Sequence, residues 1–351
     1  MRRYLYGVVT GEKKGFAAFL VQAVLLGLSF FYGAGVRIKR WCYDKGLCRA
    51  AALGRPVISV GNVTWGGVGK TPLVQAVAEH LKGRGIKPAI LTRGYMPDGK
   101  DAGSDEAVML AAVLPDVPVG VGADRIKTAA GLLAKHPVDL FLLDDGFQHW
   151  HVKRDLDLVA VDAVNPWGNG RLIPAGMLRE PLSSLKRADV IVLTKTDQAP
   201  QNISELKSRL RRMNSHAPVI ETVHNPCSVV ALGGGQQKDA AFLSGKKIAA
   251  FCSVGDPEGF KNTLATVGAD VRKIFAFPDH HAYTGKDISD ITAYAAARSL
   301  DAVVTTAKDA VKLTPFRSTL QKTPCWVLHV KIKIVAGQDE FYRRIDRLLS
   351  R

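Results

Sequence analysis

No C-x-x-C pair occurs in this chain, and its five cysteines, Cys42, Cys48, Cys227, Cys252 and Cys325, are scattered and odd in number. That excludes a disulfide framework, argues against a zinc site and fits a reducing cytoplasm. Acidic residues are in deficit, 32 against 48 Lys and Arg over 351 residues, yet no RNA- or DNA-reading motif accompanies the positive charge. There is no internal repeat and no low-complexity tract. A hydrophobic content of 47% with 7% aromatic residues excludes a disordered chain, and the length suits two domains with a sizeable core.

The positive charge is unevenly spread. Residues 1–55 carry ten Lys and Arg (Arg2, Arg3, Lys13, Lys14, Arg37, Lys39, Arg40, Lys45, Arg49, Arg55) against Glu12 and Asp44. Between the basic clusters, residues 15–36 hold no charge and include Phe16, Phe19, Leu20, Leu25, Leu26, Leu28, Phe30 and Phe31, a run long enough to span a bilayer. No small-x-small cleavage site follows, so it does not read as a signal peptide. Both flanks are basic, which leaves the positive-inside rule without a direction. A helix or broken helix at the interface, with both ends cytoplasmic and with Gly27, Gly33 and Gly35 allowing a bend, accommodates both clusters, each basic residue near an anionic leaflet contributing about 1 kcal/mol. A membrane surface with anionic lipids, rather than nucleic acid, is the expected partner; the plainer alternative is a buried core helix.

The stretch Pro56-Val-Ile-Ser-Val-Gly-Asn-Val-Thr-Trp-Gly-Gly-Val-Gly-Lys-Thr71 joins an apolar β-rich run to a glycine loop and then to Lys-Thr opening a helix. Gly66, Gly67 and Gly69 leave room for backbone N–H groups to close on phosphates. Lys70 supplies a point charge, Thr71 a hydroxyl for Mg²⁺, and the helix expected over 71–82 directs its N-terminus at the anion. Thr64 stands where the commonest P-loop pattern has glycine, so the loop resembles the x-G-G-x-G-K-[ST] variant, with Trp65 at its start.

From Arg55 to about Val223, strand and helix patterns alternate, which predicts an α/β fold: a P-loop NTPase-like, mostly parallel sheet with helices on both faces. A second alternation from Lys247 predicts a smaller C-terminal α/β domain. The expected division is a membrane-associating helical segment over 1–50, a P-loop domain over 51–225, a linker over 226–245 and the smaller domain over 246–351.

The buried run Val138-Asp-Leu-Phe-Leu-Leu-Asp-Asp-Gly-Phe-Gln-His149 ends in two carboxylates where a P-loop protein holds Mg²⁺, so Asp144 or Asp145 is the metal candidate, with Gln148 and His149 just beyond. Taken alone, Thr92-Arg-Gly-Tyr95, Gly103-Ser-Asp-Glu-Ala107 and the loop from Gly168 to Pro181 are equally readable as surface turns and caps. Phe277-Pro-Asp-His-His-Ala-Tyr-Thr284 is an unusual turn without further ligands at metal spacing.

Together, Gly61-Asn-Val-Thr-Trp-Gly-Gly-Val-Gly-Lys-Thr-Pro, Thr92-Arg-Gly-Tyr, Asp105-Glu106, Asp144-Asp-Gly-Phe-Gln-His, Gly168-Asn-Gly-Arg with Pro-Ala-Gly and Leu-Arg-Glu-Pro, Thr194-Lys, Pro278-Asp-His-His and Thr306-Ala-Lys-Asp-Ala-Val-Lys-Leu resemble the tetraacyldisaccharide 4′-kinase family. The resemblance extends over nearly the whole chain. Small departures are Ser104 and Ala107 around the Asp-Glu pair, Met177, Thr92 and Ala307. The resemblance implies ATP-dependent phosphorylation of the 4′-hydroxyl of an acylated glucosamine disaccharide 1-phosphate at the cytoplasmic face of the inner membrane, with ATP and Mg²⁺ as cofactors. It assigns Asp105 as the base, with His280 or His281 beside it, and Lys70, Arg125 and Arg179 as further catalytic groups. Thr64, Gly66, Gly67, Val68, Gly69, Lys70, Thr71, Arg93 and Tyr95 fall at nucleotide-binding positions, and Thr71, Asp144, Asp145, Glu106, Gln148 and Glu180 in the metal environment.

Two other classes compete. Val190-Ile-Val-Leu-Thr-Lys-Thr-Asp197 resembles the [NT]-K-x-D element of GTPases, but the matching D-x-x-G switch is missing, Leu143 standing where its Asp belongs. A membrane-bound partition-type ATPase has no evident use for the Asp105-Glu106 and Asp279-His-His elements.

Overall fold

The computed structural model describes residues 2–10, 13–94, 105–320 and 323–349. Two N-terminal helices, α1 (Arg2–Val9) and α2 (Phe16–Asp44), precede β1 (Val57–Asn62), α3 (Lys70–Gly83), β2 (Pro88–Thr92), α4 (Asp105–Val113), β3 (Val119–Val121), α5 (Arg125–Leu133), β4 (Leu140–Asp144), β5 (Leu156–Asp162), β6 (Val190–Thr194), α6 (Ile203–Met213) and β7 (Val219–Ala231). The short β8 (Gln237–Asp239) leads to β9 (Lys247–Cys252), α7 (Pro257–Thr266), β10 (Asp270–Ala276), α8 (Gly285–Ala297), β11 (Ala302–Thr306), the one-turn α9 (Ala307–Ala310) and α10 (Arg317–Leu320), β12 (Cys325–Ala336) and α11 (Gln338–Leu349).

The strands form one sheet in the order β10-β9-β11-β12-β7-β6-β5-β1-β4-β2-β3, with β8 beside β7. Pairing is parallel except where β7 meets β12 and β8. The central strands are mostly apolar, β1, β4 and β5 being buried at every residue, as a parallel sheet covered on both faces requires. Ile58, Leu142 and Val192 pack with Val74 and Leu81 of α3 on one face, while Val159, Ile191 and Leu193 pack with Leu206 and Leu210 of α6 on the other. Because β1 lies between β4 and β5, the chain leaves β1 toward one edge and later returns to the other. Its carboxyl end is therefore a topological switch point, where such folds bind ligands.

The seam between the two halves corrects the expected linker. Residues 226–231 complete β7, β8 occupies 237–239 and a 3-10 turn spans Ala240–Leu243, so most of 226–245 is regular structure. β7 escaped notice because Pro226 interrupts its apolar pattern; that proline sits opposite Val330, where the register with β12 shifts, the kind of place where a strand tolerates a missing N–H. The C-terminus returns to the first half: Phe341 and Ile345 of α11 are buried in the same core as Val74 and Leu81. Of the two forms expected for the apolar segment, helix or broken helix, α2 is the first, running unbroken through Gly27, Gly33 and Gly35.

Since Phe341 is 1% exposed, Phe341→Ala is expected to cost about 3–5 kcal/mol of stability. Denaturant unfolding followed by circular dichroism checks it, the expected result being a lower midpoint for the P-loop half despite a change ten residues from the C-terminus.

Candidate active site

The glycine loop starts where β1 ends. Asn62 donates from Nδ2 to the Thr64 carbonyl at 2.6 Å and accepts from Lys70 Nζ at 3.2 Å, so its side chain braces both sides of the loop. Gly66 and Gly69 have φ of 124° and 80°, conformations that side chains disfavour. At Gly69 a Cβ would also lie 2.9 Å from His224 Nε2. Thr64 and Val68 are buried, Thr194 Oγ1 donates to the Val68 carbonyl at 3.0 Å, and Thr71 follows Lys70 in the first turn of α3.

Beneath the loop lies Lys195, 3% exposed at its side chain. Its ammonium pairs with Asp162 at the end of β5 and, at 2.5 Å, with Asp256 at the N-cap of α7, and it donates to the Gly67 carbonyl at 3.3 Å. Burial opposes its charge, but the two carboxylates outweigh that and raise its pKa. The Thr-Lys-Thr-Asp element read as similar to a guanine-recognition motif thus places its lysine under the phosphate loop and joins the two halves there.

Asp144 and Asp145 stand at the end of β4 in different environments. Asp145, held at φ 52°, lies 3.4 Å from Lys70 Nζ and accepts from Arg179 Nη1 at 2.7 Å. Burial works against its ionisation, yet Lys70 and Arg179 hold its pKa down to about 2. Asp144 has a buried oxygen, Oδ1, without a hydrogen-bond partner; burial, then the neighbouring Asp145 charge, pushes its pKa up to about 7. Arg125, 2% exposed, has an unpartnered Nε, and burial lowers its pKa to about 10. Its Nη1 donates to the Gly122 carbonyl. An orphaned carboxylate oxygen and an orphaned guanidinium N–H in one cleft fit a bound cation and a bound polyanion respectively. Among the described residues no group of three His, Cys, Asp or Glu gathers to hold a metal unaided, which suits Mg²⁺, whose shell is completed by phosphate and water oxygens around one or two protein ligands.

A second cluster is built across the seam. His280, in the turn after β10 and at φ 60°, places Nδ1 3.2 Å from Asp105 Oδ2 at the start of α4. Lys312 Nζ lies 3.1 Å from the same oxygen and donates to Ser253 Oγ at 2.7 Å. The hydrogen bond to Asp105 raises the pKa of His280 despite burial. For Asp105, burial acts upward, but His280 and Lys312 prevail and lower it. This decides between the two histidines: His281 is bound 3.1 Å from Asp287 at the N-terminal end of α8 and stacks on Phe277.

Other expected site residues have partners of their own. Glu106 pairs with Lys308 at 3.2 Å. Glu180, 1% exposed, is held by both terminal nitrogens of Arg187, at 2.9 and 3.1 Å; a carboxylate buried that deeply needs a cation, and Arg187 already supplies it. Gln148 donates to the Asn62 carbonyl at 2.9 Å while its Oε1 is buried and unpartnered. Arg93 is exposed at the end of β2, and Tyr95 lies outside the described residues.

The family described as LpxK, tetraacyldisaccharide-1-P 4′-kinase, matches residues 21–350. The chain belongs to this family. Among curated relatives, a tetraacyldisaccharide 4′-kinase of Syntrophus aciditrophicus is 36% identical over 87% of each chain, and one of Anaeromyxobacter dehalogenans is 38% identical over 93% of this chain and 91% of its own. A solved structure described as the "apo" form of LpxK from Aquifex aeolicus in complex with ATP superposes with a TM-score of 0.74 at 28% identity, covering 93% of this chain and 99% of that one. Membership in the tetraacyldisaccharide-1-P 4′-kinase family sets aside the switch and partition readings.

Sequence reasoning quoted the Thr306-Ala-Lys-Asp-Ala-Val-Lys-Leu motif but gave Lys308 and Lys312 no role. The signal was their four-residue spacing, which puts two cations on one side of a helical turn, opposite the Asp105-Glu106 pair. The Asp105–His280 pair has a defined pH window. Because the folded pKa of His280 is raised, the stability that histidine contributes is complete below its ordinary value of 6.5 and is lost as pH rises through the raised value. Because that of Asp105 is lowered, its contribution is complete above 3.8 and is lost as pH falls through the lowered value. Thermal unfolding is expected to show a smaller drop in midpoint between about pH 6 and 8 for His280→Asn than for the unmodified protein.

Proposed function

We propose that this chain transfers the γ-phosphoryl group of ATP to the 4′-hydroxyl of an acylated glucosamine disaccharide 1-phosphate, with Asp105 as the base and His280 as its partner. The observation that carries these roles is the 3.2 Å contact between Asp105 and His280 across the seam. Lys70 and the loop N–H groups bind the phosphates; Thr71 and Asp144 are the residues that would hold Mg²⁺, which supplies charge neutralisation across the β- and γ-phosphates. Arg125 and Arg179 stabilise the charge that spreads over the equatorial oxygens in the transition state. As the O–P bond to the sugar forms and the bond to ADP breaks, Asp105 takes the hydroxyl proton. His280 and Lys312 hold the accepting carboxylate ionised and in place.

The acceptor is acylated and stays in a lipid phase, so the cleft must come to the headgroup plane. Helix α2 supports that reading. It is long and apolar enough to cross a membrane, with a mean hydropathy of 1.9 over its most apolar window, and it exposes Phe16, Phe19, Val24, Phe30 and Phe31. Arg37, Lys39 and Arg40 follow on the same helix. Since Ala18, Ser29 and Gly33 are buried against the protein, the opposite face enters the membrane and the helix lies along it. Catalysis at the cytoplasmic face follows from the need for ATP.

Incubation with γ-labelled ATP and tetraacyldisaccharide 1-phosphate is expected to give the 1,4′-bisphosphorylated lipid. Asp105→Ala should lower kcat by about 10²–10⁴-fold, and His280→Ala should lower it more than His281→Ala. Turnover of GTP without acceptor dependence would overturn the reading. Replacing Phe19, Phe30 and Phe31 together by Ser should weaken co-sedimentation with anionic vesicles and raise KM for vesicle-borne acceptor, with ATP affinity unchanged.

A further inference from the structure

The buried face of α2 carries a polar stripe that membrane attachment does not need. Gln22 Nε2 donates to the Ala175 carbonyl at 3.1 Å, Ser29 Oγ to the Leu172 carbonyl at 2.9 Å and the Tyr32 hydroxyl to the Arg179 carbonyl at 2.8 Å. Gln22 and Ser29 are two turns apart, and Tyr32 and Gly33 follow one turn later, so the stripe keeps to one side of the helix. Gly33 allows the close approach: a Cβ there would sit 2.8 Å from Leu172 Cδ1. All three acceptors are main-chain carbonyls of one loop, so the contact reads backbone position rather than side-chain identity.

That loop leads directly into the phosphate site. Trp65 N–H donates to the Met177 carbonyl at 2.6 Å and Arg179 N–H to the Val63 carbonyl at 2.8 Å, while Thr64 and Leu178 form a β-bridge. Arg179 then reaches Asp145, which pairs with Lys70. An unbroken chain of polar contacts therefore runs from the membrane-facing helix to the lysine of the glycine loop.

We propose that α2 is a positioning element for phosphoryl transfer: Gln22, Ser29 and Tyr32 hold residues 172–179 so that Arg179 meets Asp145 and the glycine loop keeps its shape. The proposal rests on the kinase reading and deepens it, giving the helix a task in catalysis as well as in attachment. Tyr32 is the sharpest probe, because Tyr32→Phe removes one hydroxyl and leaves the apolar surface intact.

The test uses the full chain on vesicles carrying the acceptor. Tyr32→Phe is expected to lower kcat roughly three- to tenfold, the effect of one lost hydrogen bond, with KM for ATP and the vesicle-bound fraction unchanged. Amides of Ile173, Leu178 and Arg179 should exchange faster with deuterium. In an Arg179→Ala background the same change should alter kcat by less than about twofold, because the group it acts through is gone. An equal fall in both backgrounds, a fall in vesicle binding, or unchanged kcat with unchanged exchange overturns the proposal. If the unmodified chain yields no phosphorylated lipid, the kinase reading falls, whereas the exchange comparison still decides whether α2 holds the loop.

Discussion

A single buried cation fixes the geometry of the whole site. Lys195 pairs with Asp162 from the first half and Asp256 from the second while holding the Gly67 carbonyl from below. Removing one partner of such a buried cluster typically costs about 3–5 kcal/mol, because the remaining charges are left unpaired. Since the three partners come from β5, the glycine loop and α7, the position of the second half over the phosphate site is set by electrostatics at this point. Gly255, next to Asp256, lies so close that a Cβ there would be 2.9 Å from the Gly67 nitrogen. With that corner pinned, the turn carrying His280 and the helix carrying Asp105 come within hydrogen-bond distance.

The charges at the two ends of the cleft are balanced in opposite ways. Around Asp105 the partners are complete: His280 and Lys312 share one oxygen, and Lys308 answers Glu106 and Asp279. Around Asp144 they are incomplete, with Asp144 Oδ1, Gln148 Oε1 and Arg125 Nε all buried without hydrogen bonds. Unmet polar atoms at such density cost free energy in the protein alone and return it when a ligand of matching charge arrives. The Asp144 end thus has charge and hydrogen-bonding capacity left over for a ligand, whereas the Asp105 end is already paired within the protein.

Much of this was legible in the sequence, and the exceptions have physical causes. The strand Pro88–Thr92 was read with its observed bounds, and the glycine loop, Lys70 and the Asp144-Asp145 pair could be placed because a continuous apolar run followed by a glycine turn has few other meanings in an α/β chain. β7 was missed because Pro226 and the polar residues His224 and Asn225 interrupt its apolar run, half-buried positions outnumbering buried ones along it. Helix α11 carries only two buried side chains, Phe341 and Ile345, too sparse a signal to show that the C-terminus rejoins the first half. The ion pair of Glu180 has no sequence signal, because its partner Arg187 lies seven residues on, across a 3-10 segment. The choice between His280 and His281 had no sequence signal, because adjacent residues in a turn point in different directions.

β7 and β12 have an unusual neck. β6 pairs with β7 only over Val219–Glu221, and β11 pairs with β12 only over Cys325–Leu328. Between those stretches, Thr222–Pro226 and Val330–Ile334 have no neighbouring strand but each other. A two-stranded ribbon twists more easily than a broad sheet, and Pro226 removes an N–H from its middle. The neck is covalently continuous with both halves yet tied to the first one, through the Thr222 hydroxyl on the Leu193 carbonyl and the packing of Ile332 and Ile334 against its core.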